Sequence, residues 1–171
     1  QAASLAAQTV TNNVSAATPV YVSSVIENAT PSRLEITYNL TLANITPAVS
    51  AFSVKINTVN RSVSSVNISG TKVLLTLASP VEYNDAVTIT YAKPSVNPLQ
   101  TAAGGQAESL ATQTVTNNRS APANQPPSIS ISSPTKSHAF ISPATITIDA
   151  GASDADGTVI KVEFFNGTAK L

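Results

Sequence analysis

The sequence predicts an all-β chain: an antiparallel Greek-key β-sandwich, followed by part of a second β-sandwich. Three observations carry that prediction. Apolar residues recur with a period of two through the middle of the chain. Turn-forming residues separate the alternating runs at short intervals. No segment places apolar residues at helical spacing over three turns. A period of two sends alternate side chains to opposite faces, so each run can bury one face against a second sheet and wet the other.

Seven strands are expected near residues 19–26, 33–39, 52–57, 62–69, 72–78, 86–92 and 109–116. Leu34, Ile36 and Tyr38 alternate with Glu35 and Thr37, which should face solvent. Phe52, Val54 and Ile56 alternate with Ser53, Lys55 and Asn57. Val73, Leu75 and Leu77 share one face, as do Val87, Ile89 and Tyr91, with Ala86, Thr88 and Thr90 turned away. β-branched and aromatic residues dominate these runs, as strands favour. Turns are expected at Ser69-Gly70, Asn84-Asp85, Pro94 to Pro98 and Gly104-Gly105. Val63 and Val66 differ in parity across Ser64-Ser65, which predicts a bulge. Between Thr41 and Val49 there is room for one helical turn, limited by Pro47.

After Asn118 the texture changes. Residues 119–127 (RSAPANQPP) hold three prolines and no large apolar side chain, which predicts an extended linker. Alternation resumes at Ser128 to Ile131, at Thr145 to Ile148, and at Val162 and Phe164. Pro143 suits the start of a strand and Asp156-Gly157 a turn. Residues 128–171 offer three or four strands, half a sandwich, which should be less ordered unless a neighbour covers its apolar face.

The chain also repeats itself. Residues 1–13 read QAASLAAQTVTNN and residues 106–118 read QAESLATQTVTNN, differing only at Ala3 against Glu108 and Ala7 against Thr112. The spacing is that of a domain, not of a solenoid repeat of 20–50 residues. The expected organisation is therefore residues 1–17 as the terminal strand of a preceding repeat with its linker, 18–118 as a complete module, 119–127 as linker, and 128–171 as a truncated domain. With its first residue Gln1 and no run resembling a signal peptide, the chain reads as a segment of something longer. Residues 1–13 could also take the place of residues 106–118 in the same or a neighbouring molecule, or remain frayed.

Composition bounds the chemistry. Nine basic and nine acidic residues give zero net charge, and only 11% of residues are charged, so electrostatic capture of nucleic acid or an anionic membrane has little to work with. No apolar stretch approaches the ~20 residues of a membrane span. The absence of Cys removes disulfides, thiolate nucleophiles and thiolate metal sites. Hydrophobic residues make up 42% and aromatic residues 5%, enough for an aliphatic core.

Few residues suggest a site. Asp154 and Asp156 stand two apart in Asp154-Ala155-Asp156-Gly157 and can both turn oxygens to one hard cation, which makes them calcium candidates; Asp149 and Glu163 are near enough to help. The further ligands of an EF-hand loop are missing, and the same four residues also suit a hydrogen-bonded β-turn. His138, the sole histidine, falls in a loop with no nucleophile or orienting acid near it in sequence. Glu82 and Asp85 form a carboxylate pair without an aromatic wall and read as solvated turn residues. Tyr38 and Tyr91 carry the buried parity of their strands, leaving Tyr21 and Tyr83 free to stack on a sugar. Asn13, Asn28, Asn39, Asn44, Asn60, Asn67, Asn118 and Asn166 each open an N-x-[ST] sequon, which a chain this rich in Asn, Ser and Thr produces by chance.

The run RLEITYN, AFSVKIN, SVSSVNISGTKVLLTLASPVEYNDAVTITYAKP, NPLQTAAGGQA and TVTNN, across residues 33–118, resembles the bacterial SwmB-type repeat, named after a cyanobacterial surface protein of swimming motility. Gly104-Gly105 replaces the Gly-Asn that family favours, and Asn84-Asp85 its Gly-Asp; both substitutions keep turn formers. Residues 126–171 (PPSISISSPT, then PATITIDAGASDADGTVIKVEFFNGTAKL) are similar to the first half of bacterial Ig-like modules. These resemblances imply an Ig-like sandwich, an extracellular or cell-surface location and no catalytic residues. The function they imply is a non-catalytic spacer or adhesion module of a large secreted or surface protein. Its partners would be neighbouring repeats of the same polypeptide. The alternative is an accessory module binding polysaccharide or another surface ligand through loop tips. No cofactor is expected beyond the candidate Ca²⁺.

Overall fold

The computed structural model describes residues 7, 9, 14–137 and 139–171. The chain divides into two compact units, Gln1–Ala121 and Pro122–Leu171, so the division falls inside the Pro-rich stretch.

Among the described residues of the first unit eight strands follow in chain order: β1 (Tyr21–Ile26), β2 (Arg33–Tyr38), β3 (Phe52–Ile56), β4 (Val59–Arg61), β5 (Val63–Ser69), β6 (Lys72–Leu77), β7 (Val87–Tyr91) and β8 (Leu110–Asn117). Their hydrogen-bonded order is β4-β3-β7-β8-β1-β2-β6-β5. Every neighbouring pair is antiparallel except β1 and β8, which pair in parallel through Val25–Thr116 and Ile26–Asn117. The outermost strands in that order, β4 and β5, are consecutive in the chain and joined through Ser62 alone. The sheet thus folds over on itself into two facing halves, β4-β3-β7-β8 and β1-β2-β6-β5.

The core lies between those halves. Leu34, Ile36 and Tyr38 of β2, Phe52, Val54 and Ile56 of β3, Val73, Leu75 and Leu77 of β6, and Val87, Ile89 and Tyr91 of β7 are all buried in one cluster. These are the apolar parities read from the sequence, and each fully buried aliphatic side chain contributes about 1.5–3 kcal/mol. Val81 and Leu99, from connecting segments, are fully buried in the same cluster. Phe52 and Tyr91 pack ring against ring at 5.1 Å, and the Tyr91 hydroxyl accepts a hydrogen bond from Leu99 N at 2.9 Å. That hydroxyl is inside the core rather than at its rim.

Local details follow residue chemistry. The predicted bulge is present as a register shift between Val63 and Ser65. The strand expected at 62–69 is present as β5, and the three residues just before it form β4, a strand absent from the sequence reading. Asn57 and Thr58, both at positive φ (49° and 72°), make the two-residue turn that pairs β3 with β4. The helical turn anticipated before Val49 lies just beyond it, as a 3-10 turn at Val49–Ala51, where Pro47 no longer removes a needed N–H. Gly105 is required by close approach: a Cβ there would meet Ala17 O at 2.0 Å.

The second unit contains β9 (Ser128–Ser133) paired with β10 (Asp149–Ser153), and a short hairpin of β11 (Phe165–Asn166) with β12 (Ala169–Lys170). The strand expected at 145–148 is displaced to Asp149–Ser153, and that expected at Val162 and Phe164 moves to Phe165–Asn166. Alternation shows which face a strand would present; a partner ladder decides where it forms, and it overrides propensity in the low-β stretch DAGAS. Among the described residues of this unit none is buried, and Ile129 and Ile131 are 61% and 60% exposed.

Candidate functional site

The densest polar constellation in the first unit gathers where the chain leaves β8. Asn117 donates through Nδ2 to Glu82 O at 2.9 Å and Asp85 O at 3.0 Å. Asn118 N donates to Ile26 O at 3.0 Å and Asn118 Nδ2 to Glu27 Oε2 at 3.1 Å. Arg119 Nη1 donates to Asn28 O and Asn28 Oδ1, both at 2.9 Å, and Ser120 N donates to Asn28 Oδ1 at 3.2 Å. The first residues of the expected linker are therefore fixed to the turn after β1. Two sequon asparagines, Asn28 and Asn118, are used here as hydrogen-bonding groups, and Asn39 Oδ1 accepts from Val20 N at 2.7 Å.

The carboxylate pair is likewise drawn into backbone support. Asp85 Oδ2 accepts from Glu82 N at 2.8 Å and Asp85 Oδ1 from Asn57 Nδ2 at 2.6 Å, while Asn57 Oδ1 accepts from Ala86 N at 2.9 Å. Asp85 thus locks the β6–β7 connection to the β3–β4 turn instead of being a solvated turn residue. Glu82 stands 3.9 Å from Arg119 Nη2.

Glu35 was not singled out in the sequence. Its carboxylate, on the outer face of β2 and only 9% exposed, bridges Lys72 Nζ at 2.7 Å and Arg33 Nη2 at 2.8 Å. The hydrogen bond from Lys72 and the two cations hold its pKa below the ordinary value, against the opposing effect of burial. The expectation that Glu35 faces open solvent fails because long Lys and Arg stems lie over the sheet and cover it. Alternation shows the face of a residue but not what its neighbours do there; the diagonal pairing of β2 with β6 would have been the signal.

The tyrosines divide. Tyr38 and Tyr91 are buried, Tyr83 is exposed, and Tyr21 is half-buried with its hydroxyl 2.9 Å from Ser24 Oγ. Tyr21 and Tyr38 line a cleft of about 200 Å³ together with Pro19, Val20, Glu108 and Leu110. The Tyr38 hydroxyl is buried without a hydrogen-bond partner among the described residues, and burial raises its pKa well above the ordinary tyrosine value.

In the second unit, Asp154 and Asp156 do sit together in a turn, with Asp154 Oδ1 accepting from Asp156 N at 3.3 Å. Both Asp156 oxygens accept from Gln125 N, at 3.2 and 2.9 Å. Asp149 lies in β10, and Glu163 is held by Lys161 and Lys170, whose hydrogen bonds lower its pKa. Among the described residues no three His, Cys, Asp or Glu side chains converge as a metal-binding group. His138 and the pairing of residues 1–6, 8 and 10–13 lie outside the described residues.

These features define an all-β repeat module followed by an Ig-like segment. The chain belongs to the SWM repeat family, described as a flagellar system-associated repeat, whose family model matches residues 11–96; residues 127–171 match the bacterial Ig domain. The repeat and the Ig-like segment expected from the residues are thus both found, though the matched repeat stops short of β8. No curated protein matches. Among solved structures, the N-terminal part of the bacterial S-layer protein SbsC and the S-layer protein rSbsC(31-844) are each 20% identical over 85% of this chain, with TM-scores of 0.49. The chain spans 33% and 19% of their lengths.

Proposed function

We propose that this chain is a non-catalytic spacer or adhesion module from a large secreted or cell-surface bacterial protein, working as one member of a tandem array. One observation carries the reading. Gln106, Ala107, Leu110, Gln113, Val115 and Asn117, the buried and half-buried positions of the closing segment, recur unchanged as Gln1, Ala2, Leu5, Gln8, Val10 and Asn12. Both differences between the copies fall at exposed positions, Glu108 and Thr112. What the closing strand needs in order to pack thus appears twice, one domain length apart, as serial modules require. The family's flagellar association and the bacterial Ig-like segment support a surface setting.

Small-angle scattering on one, two and three copies of residues 1–118 joined in series tests the spacer role. The reading expects the maximum dimension to grow in proportion to copy number; collapse into one compact particle contradicts it. Labelling intact cells of the source bacterium with an antibody to the chain tests location.

A second reading, a polysaccharide-binding accessory module, is supported by the cleft beside Tyr21. Binding on a glycan array that is lost on Tyr21→Ala would favour it, and an array without signal would remove it.

A further inference from the structure

Among the described residues, the first and last strands of the first unit are neighbours and run the same way. β1 and β8 pair in parallel near their ends, through Val25–Thr116 and Ile26–Asn117. The chain comes into β1 at Tyr21 and leaves β8 at Asn117, at opposite ends of their common axis. Tension along the polypeptide therefore draws β1 toward its start and β8 toward its end. The two strands are made to slide along their lengths, and bonds loaded this way must fail together. An antiparallel pair pulled apart at its open end loses its bonds one at a time.

The parallel ladder is only two residue pairs long, yet the contacts beyond it extend the same junction. Asn118 reaches Ile26 O and Glu27, while Arg119 and Ser120 reach Asn28. Asn117 anchors the same end of β8 to the Glu82–Asp85 turn. At the other end, Val20 N donates to Asn39 Oδ1 and Asn39 N to Val20 O, tying the incoming chain to the end of β2.

We propose that Glu27–Asn28 and the segment 117–120 form a mechanical clamp that resists sliding of β8 along β1 when tension runs through the chain. The clamp rests on the spacer reading, for which it names the residues that hold against force. Arg119 is its distinguishing member: Asn117 and Asn118 recur as Asn12 and Asn13, but the position of Arg119 is occupied by Val14 in the first copy.

The test is the lifetime of the full chain under constant force in magnetic tweezers, with handles at its two ends. The first unit is recognised by its larger length increment. Because the chain has no Cys, Ser62→Cys with Ala78→Cys places a second pair of handles at the open end of the β5–β6 hairpin, where Ala78 N bonds Ser62 O at 3.0 Å and the pull is unzipping. The clamp predicts a long-lived first unit pulled end to end and a much shorter lifetime at equal force through the hairpin handles. Arg119→Val should shorten the end-to-end lifetime about tenfold, as expected for losing charge-assisted hydrogen bonds that remain formed until the barrier, and leave the hairpin-pulled lifetime unchanged. Asn28→Ala should act in the same way. If both variants keep the end-to-end lifetime of a resistant parent chain, or shorten it equally in both geometries, the clamp is wrong and the spacer reading stands. If the parent chain extends at low force in both geometries, the spacer reading itself fails.

Discussion

Ile89 and Ile131 each occupy the apolar parity of an alternating strand, yet Ile89 is fully buried and Ile131 is 60% exposed. The sequence around them, VTITY in one case and SISISS in the other, does not foretell that difference. In the first unit a strand's apolar face meets a second layer supplied by distant strands; in the second, β9 pairs among the described residues only with β10. Alternation specifies a face, and a facing layer converts it into stability.

The largest expected effect sharpens that contrast. Leu75→Ala should lower the stability of the first unit by about 2–5 kcal/mol, whereas Ile129→Ala should change its own unit by less than about 0.5 kcal/mol. All four tyrosines lie in the first unit, so urea unfolding followed by tyrosine fluorescence checks Leu75→Ala, and hydrogen exchange of the β9 and β10 amides checks Ile129→Ala. Gly105→Ala comes next, with a loss of about 2 kcal/mol, because the added Cβ collides with the Ala17 carbonyl rather than with a side chain that can turn away. Tyr91→Phe should remove about 1 kcal/mol by leaving the buried Leu99 N–H without its acceptor.

Glu35→Gln should lose about 1 kcal/mol near pH 7, modest because the side chains of Arg33 and Lys72 are still 43% and 48% exposed to screening solvent. Its pKa is lowered in the folded state, so the contribution is complete above the ordinary carboxylate value of about 4.3 and disappears as pH falls through the folded value. The stability difference between parent and variant should be largest at pH 7 and shrink as the solution is acidified below the ordinary carboxylate value. The smallest effect is expected in the second unit: calcium followed by chelator should leave the calorimetric midpoint unchanged, because Asp154 Oδ1 and both Asp156 oxygens already accept backbone N–H groups and no third ligating side chain converges on them among the described residues. A shift would identify them as cation ligands.

Much of the first unit was legible because its physics is local. The parities of β2, β3, β6 and β7, the bulge at Val63–Ser65 and the glycine turns depend on near neighbours. The parallel β1–β8 pairing was not legible, since it joins residues far apart in sequence without a pattern of its own. β4 was missed because its three residues run on into β5, although Asn57-Thr58 marked a turn. The polar junction after β8 was hidden for a related reason. Asn118 and Arg119 looked like linker, and only the fold brings Asn28 and Glu27 beside them. In the second unit alternation misplaced β10, where pairing with β9 outweighed the weak strand propensity of DAGAS.

Native-state hydrogen exchange on the full chain tests the central claim most directly, since it reads each strand's dependence on its own unit. The account predicts that the amides of Ile36, Leu75 and Ile89 exchange only through global opening of the first unit, while those of β9 to β12 exchange orders of magnitude faster. Comparable protection in both units, or rapid exchange at Leu75 and Ile89, would contradict it.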